Sequence, residues 1–279
     1  MQILDGKALS DRIKIELKKE STLLNEKGIF PALAVILVGD DPASQTYVNT
    51  KEKACALSGI KSIMHKMPSS TSQKELLDII NLLNLDPSVD GILVQLPLPK
   101  HIDTNAVIEA IDPKKDVDGF HPFNVGRLMA GLDGFVPCTP FGVMRLLEDY
   151  KINVRGLDAC VIGASNIVGK PMMNLLLNAS ATVEICRSST KNLQEHTKRA
   201  DLIVVGVGKI NLLTADMVKE GAIVIDVGIN RNGEGKIVGD VDFAGVAPKC
   251  SFITPVPGGV GPMTIAMLLE NTIKSAKNR

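Results

Sequence analysis

The chain has 279 residues, room for about two domains because single cores stop growing beyond ~250 residues. Hydrophobic residues make up 45% and charged residues 22%, with 31 basic side chains balancing 31 acidic ones, which excludes a charge-dominated disordered chain. Zero formal net charge, two Tyr, seven Phe and no Trp supply neither a basic stripe nor stacking platforms, so no nucleic-acid partner is expected.

Short apolar runs alternate with amphipathic helical stretches along the chain, the pattern of α/β folds with buried parallel strands. Met1 to Lys7 lack the basic and apolar regions of a signal peptide, and no segment approaches ~18 uninterrupted apolar residues. Ser10 to Lys27 reads as a helix with apolar Ile13, Leu17, Leu23 and Leu24, closed by Gly28. Ala32–Val38 is a buried strand ended by Gly39-Asp40-Asp41-Pro42, and 44–58 is the next helix, capped near Ser44. A strand at Lys61–Lys66, a helix at Leu76–Leu83 and a strand at Gly91–Gln95 follow, the last closed by Pro97 and Pro99. From Asp112 to Thr139 the chain is rich in Gly and Pro, and a domain joint is expected there. A helix at Phe141–Tyr150 then precedes a strand–turn–helix unit starting at Asp158. Further strands fit Ala181–Cys186, Leu202–Val205 and Ala222–Asp226, the order of a doubly wound nucleotide-binding module, before a last helix at Met263–Ala276.

Five cysteines, Cys55, Cys138, Cys160, Cys186 and Cys250, form no Cys-x-x-Cys pair and read as reduced thiols. Cys138 has no evident neighbouring base and reads as a small buried thiol. A cytoplasmic location without a membrane partner is therefore expected. His65, His101, His121 and His196 are scattered, and Asp112, Asp116 and Asp118 lack acidic partners at the first and twelfth positions of a calcium loop, so no metal site is expected.

Gly163-Ala164-Ser165-Asn166-Ile167-Val168-Gly169 lies where a buried strand becomes a helix, the place where backbone N–H groups and a positive helix end hold a pyrophosphate. Ser165 replaces the second glycine of Gly-x-Gly-x-x-Gly, and the last glycine lies four residues further on. An ordinary glycine turn is the alternative on these residues alone. Ala164 and Pro171 exclude a P-loop. The next strand ends in Cys186-Arg187-Ser188-Ser189-Thr190, whose guanidinium and hydroxyls suit the 2′-phosphate of NADP, while Glu184 should face away from the terminal loop. A solvated Arg beside a helix cap is the plainer alternative.

Tyr47 and Lys51 stand at i and i+4 on one helix, so one ligand can meet both. Tyr-x-x-x-Lys also marks short-chain dehydrogenases, but there the pair follows the nucleotide turn, and here it precedes it. A half-exposed amphipathic helix would equally carry these two residues.

Seven segments taken together are more specific. Tyr47-Val48-Asn49-Thr50-Lys51, Val94-Gln95-Leu96-Pro97-Leu98-Pro99, Lys115-Asp116-Val117-Asp118-Gly119-Phe120, Pro137-Cys138-Thr139-Pro140, Gly163 to Pro171, Asp226-Val227-Gly228-Ile229-Asn230 and Thr254 to Thr264 occur in that order. Over essentially its whole length the chain resembles the bifunctional methylenetetrahydrofolate dehydrogenase/methenyltetrahydrofolate cyclohydrolase (FolD) family. The resemblance implies two α/β domains flanking a cleft, the second a Rossmann-like doubly wound parallel sheet. Residues 1–138 plus 260–279 would form the folate-binding catalytic domain and 139–259 the NADP-binding domain. It implies NADP-dependent oxidation of 5,10-methylenetetrahydrofolate, hydrolysis of the methenyl product to 10-formyltetrahydrofolate, and a cytoplasmic homodimer.

Carried onto this sequence, the resemblance makes Lys51 the catalytic lysine, Tyr47 the pterin-stacking ring, Gln95 the residue tuning that lysine and Asp118 the pterin anchor. It places folate contacts at Pro257, Gly258 and Gly261, and cofactor contacts at Gly163, Ala164, Ser165, Ser188, Ile229 and Thr264. Some relatives carry Arg where Ala164 stands; Arg187 with Ser188 would replace its grip on the 2′-phosphate. Hydride loss from a carbon between two nitrogens leaves an amidinium-like cation, so the first step asks mainly for positioning. The second asks for water attack and proton traffic, which an amine can manage. Without the resemblance, Gln95 also reads as a strand end and Asp118 as an Asx turn before Gly119. A short-chain-dehydrogenase-like NADP oxidoreductase and a non-catalytic NADP-binding regulator are the alternative functions.

Overall fold

The amino terminus completes a sheet made by distant residues. In the computed structural model, which describes all 279 residues, Ala43 by its backbone alone, β1 (Gln2–Ile3) runs parallel beside β11 (Phe252–Ile253). Gln2 N donates to Ser251 O at 2.8 Å and Leu4 N to Ile253 O at 2.9 Å. α1 (Gly6–Glu26) starts ahead of the expected Ser10, because the Asp5 carboxylate accepts from Ala8 N at 2.9 Å and so satisfies a free donor of the first turn. Gly28, at φ +79°, ends it as read from the sequence.

The chain forms two compact units, Asp11–Val136 with Ile265–Arg279, and Met1–Ser10 with Pro137–Thr264. In the first, β2 (Ala32–Val38), α2 (Pro42–Leu57), β3 (Lys61–Met67), α3 (Gln73–Leu85), β4 (Gly91–Val94), α4 (Thr104–Ala110) and α5 (Pro122–Met129) succeed one another. The three strands pair in parallel in the order β3-β2-β4. Every residue of β2 is buried, as in a strand covered on both faces, and Ala34, Ile36, Leu76, Ile80, Ile92 and Val107 share one core. α2 is capped by Asp41, not Ser44: Pro42 takes the first helical position, and Ser44 N donates to the Asp41 carboxylate at 2.7 Å. α3 begins before Leu76 because Ser72 and Glu75 form a capping box.

The second unit continues with α6 (Cys138–Asp149), β5 (Asp158–Ile162), α7 (Gly169–Asn178), β6 (Thr182–Cys186), α8 (Leu193–Arg199), β7 (Leu202–Val205), β8 (Ile223–Asp226), β9 (Asn230–Arg231), β10 (Ile237–Val238) and α9 (Phe243–Val246). Its sheet has the order β1-β11-β8-β7-β5-β6, with every pair parallel. The chain moves outward from β5 to β6 and returns to β7 on the other side of β5. This is the doubly wound arrangement, with its switch point at the carboxyl end of β5. Cys160, Ile203, Val205, Val224 and Ile253 lie in its core.

α10 (Val260–Lys277) contributes its first residues to this unit and its remainder, from Ile265, to the other. Compactness thus assigns residues 1–10 to the nucleotide-type unit, whereas the functional division expected from the sequence groups them with the folate domain. The reason is long-range pairing of the amino terminus. Besides the β1–β11 pairing, Lys7 N donates to Gly258 O at 2.8 Å and Ser10 Oγ to Pro262 O at 2.9 Å.

Candidate active site

In the first unit, β2 and β4 are neighbours, and Gln95 N donates to Ile36 O at 2.9 Å, so Gln95 emerges at the sheet edge from which α2 departs. That edge brings two distant residues together. Lys51 Nζ donates to Gln95 Oε1 at 3.0 Å, and Gln95 Nε2 donates to Leu96 O at 2.7 Å. The second bond fixes which end of the amide faces the lysine. Lys51 is only 9% exposed, so water cannot readily replace that acceptor. Tyr47, one turn earlier on α2, is half-buried, and burial raises its phenol above the ordinary range.

Asp118 sits on the loop after α4 and lines a small cavity with Ile92, Val94, Leu96, Asp116 and Phe120. The loop is held by a residue to which the sequence reading assigns no role in the site, although it lies in the Lys115–Phe120 segment. Asp116 is buried and accepts from Asn124 Nδ2 at 2.8 Å, His121 N at 2.9 Å and Phe120 N at 3.1 Å. Burial pushes its carboxyl up to about 6, with the hydrogen bonds opposing. Asn271 of α10 steadies the same loop, donating to Val117 O at 2.8 Å. Gly119 takes the positive φ of +73° that the turn after Asp118 requires. No local signal marks Asn124 or Asn271.

In the second unit, the turn after β5 is built for close approach. Gly163 has φ +117°, and a Cβ there would meet Gly206 O at 2.6 Å; a Cβ on Gly169 would collide with the Gly163 carbonyl. Gly169 therefore provides the helix–strand contact that the third glycine of the fingerprint usually provides. Ser165 is exposed, and its Oγ accepts from Val168 N at 3.2 Å and Gly169 N at 3.4 Å. Its own hydroxyl hydrogen stays available for an anion at the start of α7. Ala164, beside it, is half-buried.

At the end of β6, Arg187 N donates to Thr190 Oγ1 at 2.9 Å and Arg187 Nε to Ser189 Oγ at 3.2 Å. This tight turn gathers a guanidinium and the Ser188 and Ser189 hydroxyls on an exposed surface. Glu184 is occupied elsewhere, by His196 Nδ1 at 3.1 Å and Arg199 at 2.5 Å, so it does not oppose a phosphate at the turn. Cradle, hydroxyls and guanidinium fit a dinucleotide with a 2′-phosphate.

Ile229 is exposed beyond β8, and a Cβ on Gly261 would meet its Cδ1 at 3.8 Å. Thr264 Oγ1 lies 3.0 Å from Thr139 Oγ1. Pro257 is exposed, and Gly258 has φ +108°. Pro257, Gly258 and Gly261 thus belong to the nucleotide-type unit, while Tyr47, Lys51, Gln95 and Asp118 belong to the other. A short-chain dehydrogenase site would need Tyr47 and Lys51 in the unit that holds the glycine turn, and they are not there. Cys138 is buried at the start of α6. Among the described residues, no group of three or more His, Cys, Asp or Glu side chains is placed to hold a metal ion.

Comparison with known proteins agrees along the whole chain. The family model described as "Tetrahydrofolate dehydrogenase/cyclohydrolase, catalytic domain" matches residues 4–118, and "Tetrahydrofolate dehydrogenase/cyclohydrolase, NAD(P)-binding domain" matches residues 137–279. The Bifunctional protein FolD of Campylobacter curvus is 69% identical over 279 residues, covering 100% of this chain and 97% of its own. The crystal structure of the bifunctional FolD enzyme from Campylobacter jejuni is 63% identical, with a TM-score of 0.99 and coverage of 100% and 99%. The methylenetetrahydrofolate dehydrogenase-cyclohydrolase of Trypanosoma brucei, solved with NADP cofactor and an inhibitor, is 38% identical, with a TM-score of 0.95 and coverage of 99% and 97%.

Proposed function

The chain belongs to the tetrahydrofolate dehydrogenase/cyclohydrolase family, and from that premise we propose that Lys51, Tyr47, Gln95 and Asp118 carry its folate chemistry. It is an enzyme that oxidises 5,10-methylenetetrahydrofolate to the methenyl compound with NADP⁺ and hydrolyses that product to 10-formyltetrahydrofolate. NADP⁺, when bound, accepts the hydride.

Residues Gly163, Ala164 and Ser165 bind the pyrophosphate region, Arg187 and Ser188 the 2′-phosphate, and Ile229 and Thr264 the remaining cofactor surface. Tyr47 stacks on the pterin, Asp118 accepts its N–H donors, and the Pro257, Gly258 and Gly261 backbone completes the folate contacts. Lys51 moves the protons of the hydrolytic step. Water adds to the methenyl carbon; its first proton leaves as the C–O bond forms, and the second leaves as the carbonyl forms. The C–N bond breaks with its electron pair on nitrogen, which takes up one proton, so one proton is released overall. Gln95 keeps the lysine amine aimed for this task.

The observation that supports these roles most strongly is the 3.0 Å Lys51–Gln95 bond on a nearly buried lysine. Absorbance assays of methylenetetrahydrofolate oxidation with NADP⁺ and with NAD⁺, run separately, test the reading, together with methenyltetrahydrofolate decay. NADP⁺-dependent turnover with loss of the methenyl band is expected; nucleotide binding without NADPH formation would overturn it. A cytoplasmic homodimer is part of the same proposal. All five cysteines are buried thiols outside any disulfide, which suits a reducing compartment, and sedimentation of the purified chain tests the dimer. Among the described residues, no helix is long and apolar enough to cross a membrane.

A further inference from the structure

Two buried carboxylates that the reaction above does not use hold the loops at the carboxyl ends of β7 and β8. Asp240, fully buried, accepts on one oxygen from Val207 N at 2.6 Å and Gly208 N at 3.0 Å, and on the other from Lys209 N and Asn230 Nδ2, both at 2.9 Å. Asp226, the last residue of β8, accepts from Gly228 N and Val241 N at 2.9 Å and from Asp240 N at 3.0 Å. One carboxylate therefore fixes the loops, and the other fixes the backbone that carries the first. No slack remains around them: a Cβ on Gly228 would strike the Asp240 carboxylate, and one on Gly239 would strike that of Asp226. Burying two neighbouring carboxylates is costly unless all their acceptor sites are used, and here the loops themselves supply the donors.

These loops stand at one end of the cofactor edge. In the strand order β6-β5-β7-β8, Arg187 and Ser188 follow β6 and the glycine turn follows β5. A dinucleotide lying across the carboxyl ends, phosphate at β6 and pyrophosphate at β5, leaves its nicotinamide half to the loops after β7 and β8. They abut the turn directly. A Cβ on Gly163 would lie 3.2 Å from Val207 Cγ1, and one on Gly206 would lie 3.2 Å from Val227 Cβ and 3.7 Å from Val168 Cγ1. Val207 and Ile229, one on each loop, are exposed at 42% and 47%.

We propose that Asp240, braced by Asp226, is a positioning residue for hydride transfer, fixing the 206–209 and 227–230 loops so that Val207 and Ile229 seat the nicotinamide. The inference rests on the chain's reading as an NADP-dependent dehydrogenase and adds a residue that acts only through the loops. An amide cannot replace the carboxylate: in either orientation of Asp240→Asn, two N–H donors face an NH₂ group instead of an acceptor.

The test exploits the two activities of one protein. For Asp240→Asn, the NADP⁺ KM rises and dehydrogenase kcat/KM falls on the order of 10²-fold, the scale of a small misplacement of reacting atoms. The deuterium isotope effect on hydride transfer increases, while cyclohydrolase turnover, assayed without nucleotide on the same preparation, is retained. Asn230→Ala, which removes one of the four donors, gives a smaller change of the same kind and decides the matter if Asp240→Asn does not fold. Parallel loss of both activities with unchanged KM and isotope effect, or an unaffected dehydrogenase, would overturn the proposal. A wild-type protein that makes no NADPH would instead count against the parent reading.

Discussion

Replacing Gln95 by Met removes the acceptor for Lys51 while keeping a side chain of similar length. The wild-type amide cannot turn away without cost, because its Nε2 is bound to Leu96 O at 2.7 Å while Oε1 receives Lys51 Nζ at 3.0 Å. With Lys51 9% exposed, solvent offers little replacement in Gln95→Met. A hydrogen bond from a charged donor contributes ~1.5–3 kcal/mol, so the population of correctly aimed lysine should fall roughly tenfold to 10²-fold. Hydrolysis of methenyltetrahydrofolate, followed by stopped-flow absorbance, should slow by about that factor in kcat. Oxidation of methylenetetrahydrofolate should slow less, because it asks for positioning more than for proton transfer. A cyclohydrolase rate equal to wild type, or an equal decline in both activities, would refute the role assigned to this bond.

The other expectations concern single groups. Lys51→Met should abolish cyclohydrolase turnover while NADP⁺ affinity, measured by fluorescence or calorimetry, stays nearly intact; unchanged methenyl conversion would defeat the proton-transfer role. Arg187→Ala should raise the NADP⁺ KM much more than the NAD⁺ KM, by on the order of tenfold for one lost charge-assisted contact. Equal shifts for the two nucleotides would remove Arg187 from phosphate recognition. Burial pushes both Asp116 and Asp226 up to about 6, against ~3.9 in an unfolded chain. The folded state then binds more protons between those values, so the stability these groups contribute is full below about pH 4 and lost as pH rises through 6. Carboxyl carbon NMR titration should give midpoints near 6; midpoints in the ordinary range would mean that the hydrogen bonds outweigh burial.

Elements with a strong apolar pattern were legible before any coordinates. Ala32–Val38 and Leu202–Val205 are strands over the expected residues, because an unbroken β-branched and aliphatic run between turn residues suits a strand buried on both faces. Helix starts were less legible. The starts of α2 and α3 depend on which of several capping residues in a row accepts the free N–H groups, and Asp41 and Ser72 do so. In the candidate site, the i, i+4 relation of Tyr47 and Lys51 is a property of one helix and needs no tertiary information. The glycine turn at 163–169 is likewise local, although Gly169's part in it emerges only from its approach to the Gly163 carbonyl.

Residue chemistry and short-range periodicity are written along the chain, and from them come the α/β class, the strand–turn–helix glycine turn and the Tyr47–Lys51 pair, whereas the two steps of the reaction come from the resemblance of seven ordered segments to the FolD family. Which groups meet is another matter. Gln95 reaches Lys51 across 44 positions, Asn271 reaches Val117 across 154, and Asp240 gathers N–H groups more than 30 positions away. The grouping of Met1–Ser10 with the nucleotide-type unit has the same origin, since β1 pairs with β11. Parallel sheets align the carboxyl ends of strands far apart in sequence, and only that alignment selects, among many polar residues, the few that become partners.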